Sequence, residues 1–250
     1  MDKKAMQKCR GRLEAYLSDF LEPVGRRERR HWGSVYVRGL LLDGERKSIE
    51  PIASRLPEGN VQALQQFIGQ SPWNHMPIRR RLAERMSREL VPAQVWIVDD
   101  TGFPKKGNHS VGVARQYSGT LGKVGNCQIA VALHLATDDA SMPLNFALYF
   151  PESWTDDPER LKRAGVPEGT VFKTKWQIAL DLIDEALLWD VPPGIIVSDI
   201  FYGKVKQFRQ GLMDRELLYM VEVEDHPLEG GIQRVHGITF CCCETPTCPC

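Results

Sequence analysis

Two short apolar runs a hundred positions apart constrain this chain most. Trp96-Ile97-Val98 leads directly into Asp99, and Ile195-Ile196-Val197 leads through Ser198 into Asp199. Runs of this length, rich in β-branched residues, read as strands. If the two strands lie side by side and parallel, both carboxylates emerge at the carboxyl edge of one sheet, where open α/β sheets bind ligands. Two carboxylates at one edge repel each other unless a cation lies between them. Mg²⁺ suits such hard oxygen donors, because it keeps positions free for water and substrate phosphate. A strand-terminal aspartate also serves as a helix N-cap or turn former, and spacing alone leaves both readings open.

The remaining pattern divides the chain into three zones. Residues 1–90 read as a small helical domain. Leu13, Tyr16, Leu17 and Phe20 form a 3.6-type stripe that Pro23 ends, and an Arg-rich helix over Ile78–Leu90 closes the zone. Residues 93–228 alternate strands and helices. Strands are expected at Val95–Val98, Ile129–Leu135, Leu144–Phe150, Ile195–Val197 and Leu217–Val223. Helices are expected at Lys175–Trp189, with Trp176, Ala179, Leu180, Ile183 and Leu187 on one face, and at Val205–Leu212. The order β-β-β-α-β-α-β permits an antiparallel meander followed by a right-handed crossover to a strand parallel to the first. That is a ribonuclease-H-like mixed sheet. Residues 229–250 fit neither zone and read as an irregular tail holding Cys241, Cys242, Cys243, Cys248 and Cys250.

Charge separates the zones further. The chain carries 32 basic and 32 acidic side chains; residues 1–90 hold 18 and 11 of them, leaving 14 and 21 for the rest. A basic front half suits a polyanion, of which nucleic acid is the commonest, although a solvated helical surface would look the same. No apolar run is long enough for a membrane span. The polar N-terminus lacks a signal-peptide core, so a cytoplasmic, nucleoid-associated protein is expected. The cysteines outside the tail, Cys9 and Cys127, stand alone, as in a reduced compartment.

Several longer motifs occur in order. Trp96-Ile-Val-Asp-Asp-Thr-Gly-Phe-Pro-Lys-Lys-Gly107 resembles the first catalytic motif of Asp-Asp-Glu (DDE) superfamily insertion-sequence transposases. Gly112-Val-Ala-Arg-Gln-Tyr-Ser-Gly-Thr-Leu-Gly-Lys-Val-Gly-Asn-Cys-Gln128 is similar to the block that follows it. Leu148-Tyr-Phe-Pro-Glu-Ser-Trp154 and Gly165-Val-Pro167 match further landmarks, and Asp199-Ile-Phe-Tyr-Gly203 resembles the second catalytic motif. The resemblance implies DNA binding and metal-dependent cleavage and strand transfer at transposon terminal repeats and target DNA, by a homo-oligomer. It implies that Asp99 and Asp199 hold Mg²⁺ (or Mn²⁺). Asp100 competes with Asp99 for the first place; Asp99 is favoured because related motifs read Asp-x-Thr or Asp-x-Ser, which Thr101 completes. Tyr202 and Gly203 then shape the second-aspartate loop. Lys105, Lys106, His109, Arg115 and Lys123, in loops expected near the metal edge, are candidate contacts to DNA phosphates; ordinary solvated loop charge is the alternative. His134 and Cys127 read as structural strand residues.

The family's third carboxylate, a Glu on a helix well downstream of the second Asp, has no counterpart in the pattern. Glu222 and Glu224 fall on an expected strand and Glu244 in the Cys-rich tail. The chain is therefore expected to be incomplete at its C-terminus, truncated or frameshifted, with little strand-transfer activity. A non-catalytic protein that binds transposon ends is the alternative. A zinc site in the tail is disfavoured, because adjacent cysteines do not match the spaced pairs of common zinc modules.

Overall fold

The computed structural model describes residues 2–90, 95–223, 232–235 and 238–243, the last two segments as backbone strands. The chain divides into two compact units, residues 1–82 and 83–250. The division falls eight residues before the boundary expected from sequence, inside the Arg-rich helix.

The first unit is helical: α1 (Lys3–Phe20), α2 (Arg27–Leu41), α3 (Ile49–Ser54), α4 (Val61–Gly69) and the start of α5 (Met76–Glu89). Asp2 caps α1 and Asn60 caps α4, each accepting a backbone N–H three residues on. Two small apolar clusters hold these helices. Leu17, Leu21, Val24 and Phe67 form one, and Val35, Ile52, Ala53 and Leu64 form the other. Trp73 stacks on Phe67 with ring centroids 5.3 Å apart, and its indole N–H donates to the Phe67 carbonyl at 2.9 Å.

The second unit contains β1 (Val95–Pro104), β2 (Ala114–Ser118), β3 (Lys123–Ala136), β4 (Ser141–Leu148), α6 (Glu152–Thr155), α7 (Pro158–Arg163), α8 (Lys175–Leu188), β5 (Ile195–Ser198), α9 (Ile200–Gly203), α10 (Lys206–Met213), β6 (Tyr219–Val223), β7 (Ile232–Val235) and β8 (Ile238–Cys243). The strands form one mixed sheet in the order β2-β3-β1-β5-β6-β8-β7, with β4 also pairing β3. β1, β3 and β4 form the antiparallel meander. β5 and β6 run parallel to β1. This is the ribonuclease-H-like arrangement.

Among the strands, three features depart from the sequence expectation. β2 falls where a loop is expected; it is an edge strand whose Arg115 and Tyr117 are exposed while Ser118 is buried. β1 does not stop at Val98: it stays paired with β3 as far as Pro104, so Asp99 and Asp100 lie within it. The zone expected to be irregular contains β7 and β8, and β8 pairs antiparallel with β6 from Val223↔Thr239 to Tyr219↔Cys243. A parallel strand at a sheet edge leaves a row of unpaired backbone groups, and β8 satisfies those of β6. Residues 224–231, 236–237 and 244–250, including Glu224, Glu244, Cys248 and Cys250, lie outside the described residues.

The helix α8 packs on β3 and β4. A capping box opens it: the Thr174 hydroxyl accepts from the Gln177 backbone, and the Gln177 side chain accepts from the Thr174 backbone. Its buried face is Ile178, Ala179, Leu180, Leu182, Ile183 and Ala186, whereas Trp176 and Leu187 are only half-buried. The stripe is thus rotated slightly from the expected one. Asn145, fully buried on β4, donates to the Leu182 carbonyl at 3.3 Å and to Glu185 Oε2 at 2.7 Å, tying sheet to helix. Farther along α8, Arg215 grips Asp184 through Nε and Nη2, each at 2.5 Å, a bidentate geometry.

Candidate functional site

The register between β1 and β5 brings the aspartates to one edge. Trp96 pairs with Ile196 and Val98 with Ser198; Asp99 and Asp199 each follow that last rung. Trp96, Val98, Ile196, Ser198, Tyr219 and Val221 are all buried and occupy matched rungs on one face of the three parallel strands. Alternation therefore puts Asp100 on that buried face and Asp99 on the other. Asp100 is accordingly half-buried and Asp99 exposed.

Asp199 leaves the sheet as the N-cap of α9, its Oδ1 accepting the Phe201 N–H at 3.1 Å. It thus fills the capping role and the edge position together. The residue is exposed overall, but partial removal of its carboxyl from water pushes it above the usual carboxylate range. The amides of Tyr202 and Phe201 pull it down, while the charges of Asp99 and Asp100 push it up. Asp99 Oδ1 accepts the Asp100 backbone N–H at 2.7 Å. Asp100 forms an ion pair with Lys175 through Oδ2, and its Oδ1 accepts from the Tyr202 hydroxyl at 3.4 Å.

Tyr202 is fully buried and tilted against Phe208, ring centroids 5.7 Å apart. Burial, then the nearby Asp100, Asp199 and Asp99, holds its phenol well above the usual range, so it is a neutral donor to the acidic edge. Gly203 lets α9 lie against β6: a Cβ there would meet the Glu222 carbonyl oxygen at 1.9 Å. Glu222 itself follows the Ser198↔Val221 rung on β6, one strand beyond Asp199. Among the described residues no group of three His, Cys, Asp or Glu side chains stands close enough to hold a metal ion together. A pair of aspartates at the edge is a donor set that a hard divalent cation accepts, with water and phosphate completing its shell.

The basic candidates lie in the loop after β1 and on the β2–β3 hairpin. Lys105 comes six residues after Asp99, and at about 3.3 Å per residue β1 carries it roughly 20 Å along the strand. Lys105 is thus set off from Asp99 along β1, because that strand runs on to Pro104; Lys106 and His109 follow it in the loop. The Asn126 side chain donates to the carbonyls of Lys105 and Gly107, holding the loop. Lys106 and His109 are exposed, and Lys105 is half-buried. Arg115 and Lys123 are exposed on the β2–β3 hairpin. His134 sits opposite Ile97, two rungs along the β1–β3 ladder from Asp99. Cys127 is buried, which raises its thiol pKa, and it donates to the Gln116 carbonyl at 3.8 Å, as befits a strand residue.

Two groups escape a reading of the sequence. Lys175 stands there only as the first residue of a helix, 75 positions from Asp100, with nothing local to mark the pairing. Arg160 and Arg163 belong to the basic run of α7, which joins Asn108, His109, Trp154 and Asp157 around a cleft of about 540 Å³. The Arg160 guanidinium stacks 3.8 Å above the Trp154 ring and donates to the Asn108 carbonyl at 3.2 Å. Trp154 is anchored by its indole N–H, which donates to the Val113 carbonyl at 2.7 Å. The run Arg160-Leu-Lys-Arg163 is the available signal, but it reads as ordinary helix surface.

A family model described as DDE superfamily endonuclease matches residues 19–226. The chain is 30% identical over 200 residues to the probable transposase for insertion sequence element IS701 of Microchaete diplosiphon, an alignment covering 79% of this chain. It spans about half the length of that curated relative, 50%.

Proposed function

From a chain that belongs to the DDE superfamily of endonucleases, of insertion-sequence transposase type, we propose metal-dependent DNA strand cleavage and strand transfer at transposon ends, with Asp99, Asp100 and Asp199 forming the acidic edge. The observation that carries this is the β1–β5 register, which aligns Asp99 and Asp199 just past one shared rung. Mg²⁺ or Mn²⁺, when bound, would activate the attacking oxygen and stabilise the leaving one in an in-line displacement. Asp199 and Asp99 would hold it, with Asp100 beside them. Tyr202, as a neutral donor to Asp100, orients that carboxylate, and the α9 cap orients Asp199.

The test is nicking of supercoiled plasmid in Mn²⁺. The 250-residue chain, with aspartates alone assigned at the edge, is expected to nick slowly. Asp99→Ala and Asp100→Ala, compared separately, are each expected to lower that rate, and the larger loss identifies the main ligand. Nicking that persists unchanged in both, and in Asp199→Ala, sinks the reading.

DNA is proposed to contact basic features of each unit, with the protein acting as a homo-oligomer. In the first unit these are the exposed arginines of α2. In the second they are the loop with Lys105, Lys106 and His109, the hairpin with Arg115 and Lys123, and the Arg160–Arg163 cleft. Such contacts position DNA without reading its sequence. Replacing Arg160 and Arg163 with alanine is expected to weaken binding to unrelated duplexes alike. The slope of log K against log salt should shrink by about 1–2, close to one for each phosphate no longer neutralised. An unaltered salt slope in a mobility-shift titration would remove this cleft from the path.

A further inference from the structure

Lys175 opens α8 directly after the capping residue Thr174. A cation in the first turn of a helix faces the positive end of the helix dipole, which favours anions there. The position needs a compensating charge, and Asp100 supplies it across 75 residues of sequence. The pair is largely withdrawn from solvent, with side chains 14% and 19% exposed for Lys175 and Asp100. Aromatic rings flank the ammonium, Phe201 at 4.8 Å and Tyr149 at 5.7 Å from the ring centroids. With the Tyr202 hydroxyl on Oδ1, both oxygens of Asp100 are engaged by protein groups. Asp99 and Asp199 have no such lysine among the described residues; their carboxylate oxygens accept backbone amides, from Asp100 and from Phe201.

We propose that Lys175 is the resident counter-ion of the acidic edge: it occupies Asp100 while no divalent cation is bound and competes with one for that carboxylate. The proposal rests on the reading of this edge as a divalent-cation site. Its physical basis is competition. An ammonium and a divalent ion on one carboxylate repel each other, so the cation displaces Lys175 from Asp100 or binds more weakly beside it. Lys175 is thus a positioning residue, acting on the metal through Asp100. In the metal-free protein it removes part of the repulsion among Asp99, Asp100 and Asp199.

Mn²⁺ affinity, followed by the electron paramagnetic resonance of free Mn²⁺, tests this on the full chain. Lys175→Gln removes the competing charge and is expected to bind Mn²⁺ about tenfold more tightly, the discount for partial exposure included. It should also melt earlier than the parent without metal and recover most of that loss in Mn²⁺. Lys175→Arg, whose planar fork grips a carboxylate in bidentate fashion, should bind Mn²⁺ more weakly than the parent. If Lys175→Gln fails to fold, the arginine variant decides alone. Equal or weaker binding by the glutamine variant, or binding by the arginine variant as tight as the parent's, overturns the proposal and leaves the metal site standing. If the parent and both variants bind no Mn²⁺ at millimolar concentration, the metal site falls, and the counter-ion role with it.

Discussion

Replacing Asp199 with asparagine should abolish the Mn²⁺-induced rise in melting temperature while leaving the metal-free protein at least as stable as the parent at neutral pH. Asparagine caps a helix about as well as aspartate, so α9 keeps its start. What is lost is a carboxylate that burial and its acidic neighbours hold above the usual range. The sign follows from that direction. A raised carboxyl contributes stability that is complete below its unfolded pKa and disappears as pH rises through its folded value. The variant escapes that loss. The difference in Tm, variant minus parent without metal, should be near zero in acid and become positive as pH rises above the ordinary carboxylate range. With metal the order reverses. A ligand at a hundred times its dissociation constant stabilises by about 2.7 kcal/mol, which corresponds to a Tm rise of roughly 5–10 °C for a domain of this size. That rise should appear in the parent alone. Calorimetry at several pH values, with and without Mn²⁺, reads both effects; an equal Mn²⁺ shift in the variant would show that Asp199 is not a ligand.

Gly203→Ala should be the most damaging single methyl group added to the second unit. The new Cβ would stand 1.9 Å from the Glu222 carbonyl oxygen and 3.1 Å from Val221 Cβ. The nearest atom is backbone and belongs to a paired strand, so no side chain can swing away. Either α9 lifts from β6 or β6 shifts in the sheet. Overpacking of this kind costs about 3 kcal/mol, the upper end of the usual range, or roughly 6–12 °C in Tm. Because Asp199 caps the same short helix, Mn²⁺ affinity should fall together with stability. Gly119→Ala is the matched control, since nothing lies within 4 Å of its added Cβ. A Gly203→Ala protein that melts with the control would mean that α9 packs less closely on β6.

Periodicity makes much of the second unit legible. The apolar runs ending near Asp99 and Asp199 are strands, the stretch from Lys175 is a helix with a capping box, and the crossover makes β5 parallel to β1. These follow from local rules: alternation, 3.6-residue spacing and turn chemistry act within a few residues. β2 is less legible. Arg115 and Tyr117 face solvent on an edge strand, so its sequence is as polar as a loop's, and only pairing with β3 makes it a strand. The continuation of β1 past Asp99 is hidden for the same reason. Thr101, Phe103 and Pro104 are exposed, and it is β3 that holds them extended.

By itself the sequence determined the family, the mixed α/β character and the two aspartate-bearing segments, because each is written in consecutive residues. The tertiary structure alone decided how those segments face one another. Which of two adjacent aspartates turns toward the buried face depends on strand alternation counted from the shared rung, and that count needs the register. The pairing of Asp100 with Lys175, and of Arg160 with Trp154 beside the His109 loop, joins groups from separate elements. Long-range charge pairs leave no period in a sequence, since what selects them is proximity in space and partial removal from water, both of which arise only once the sheet and α8 have packed.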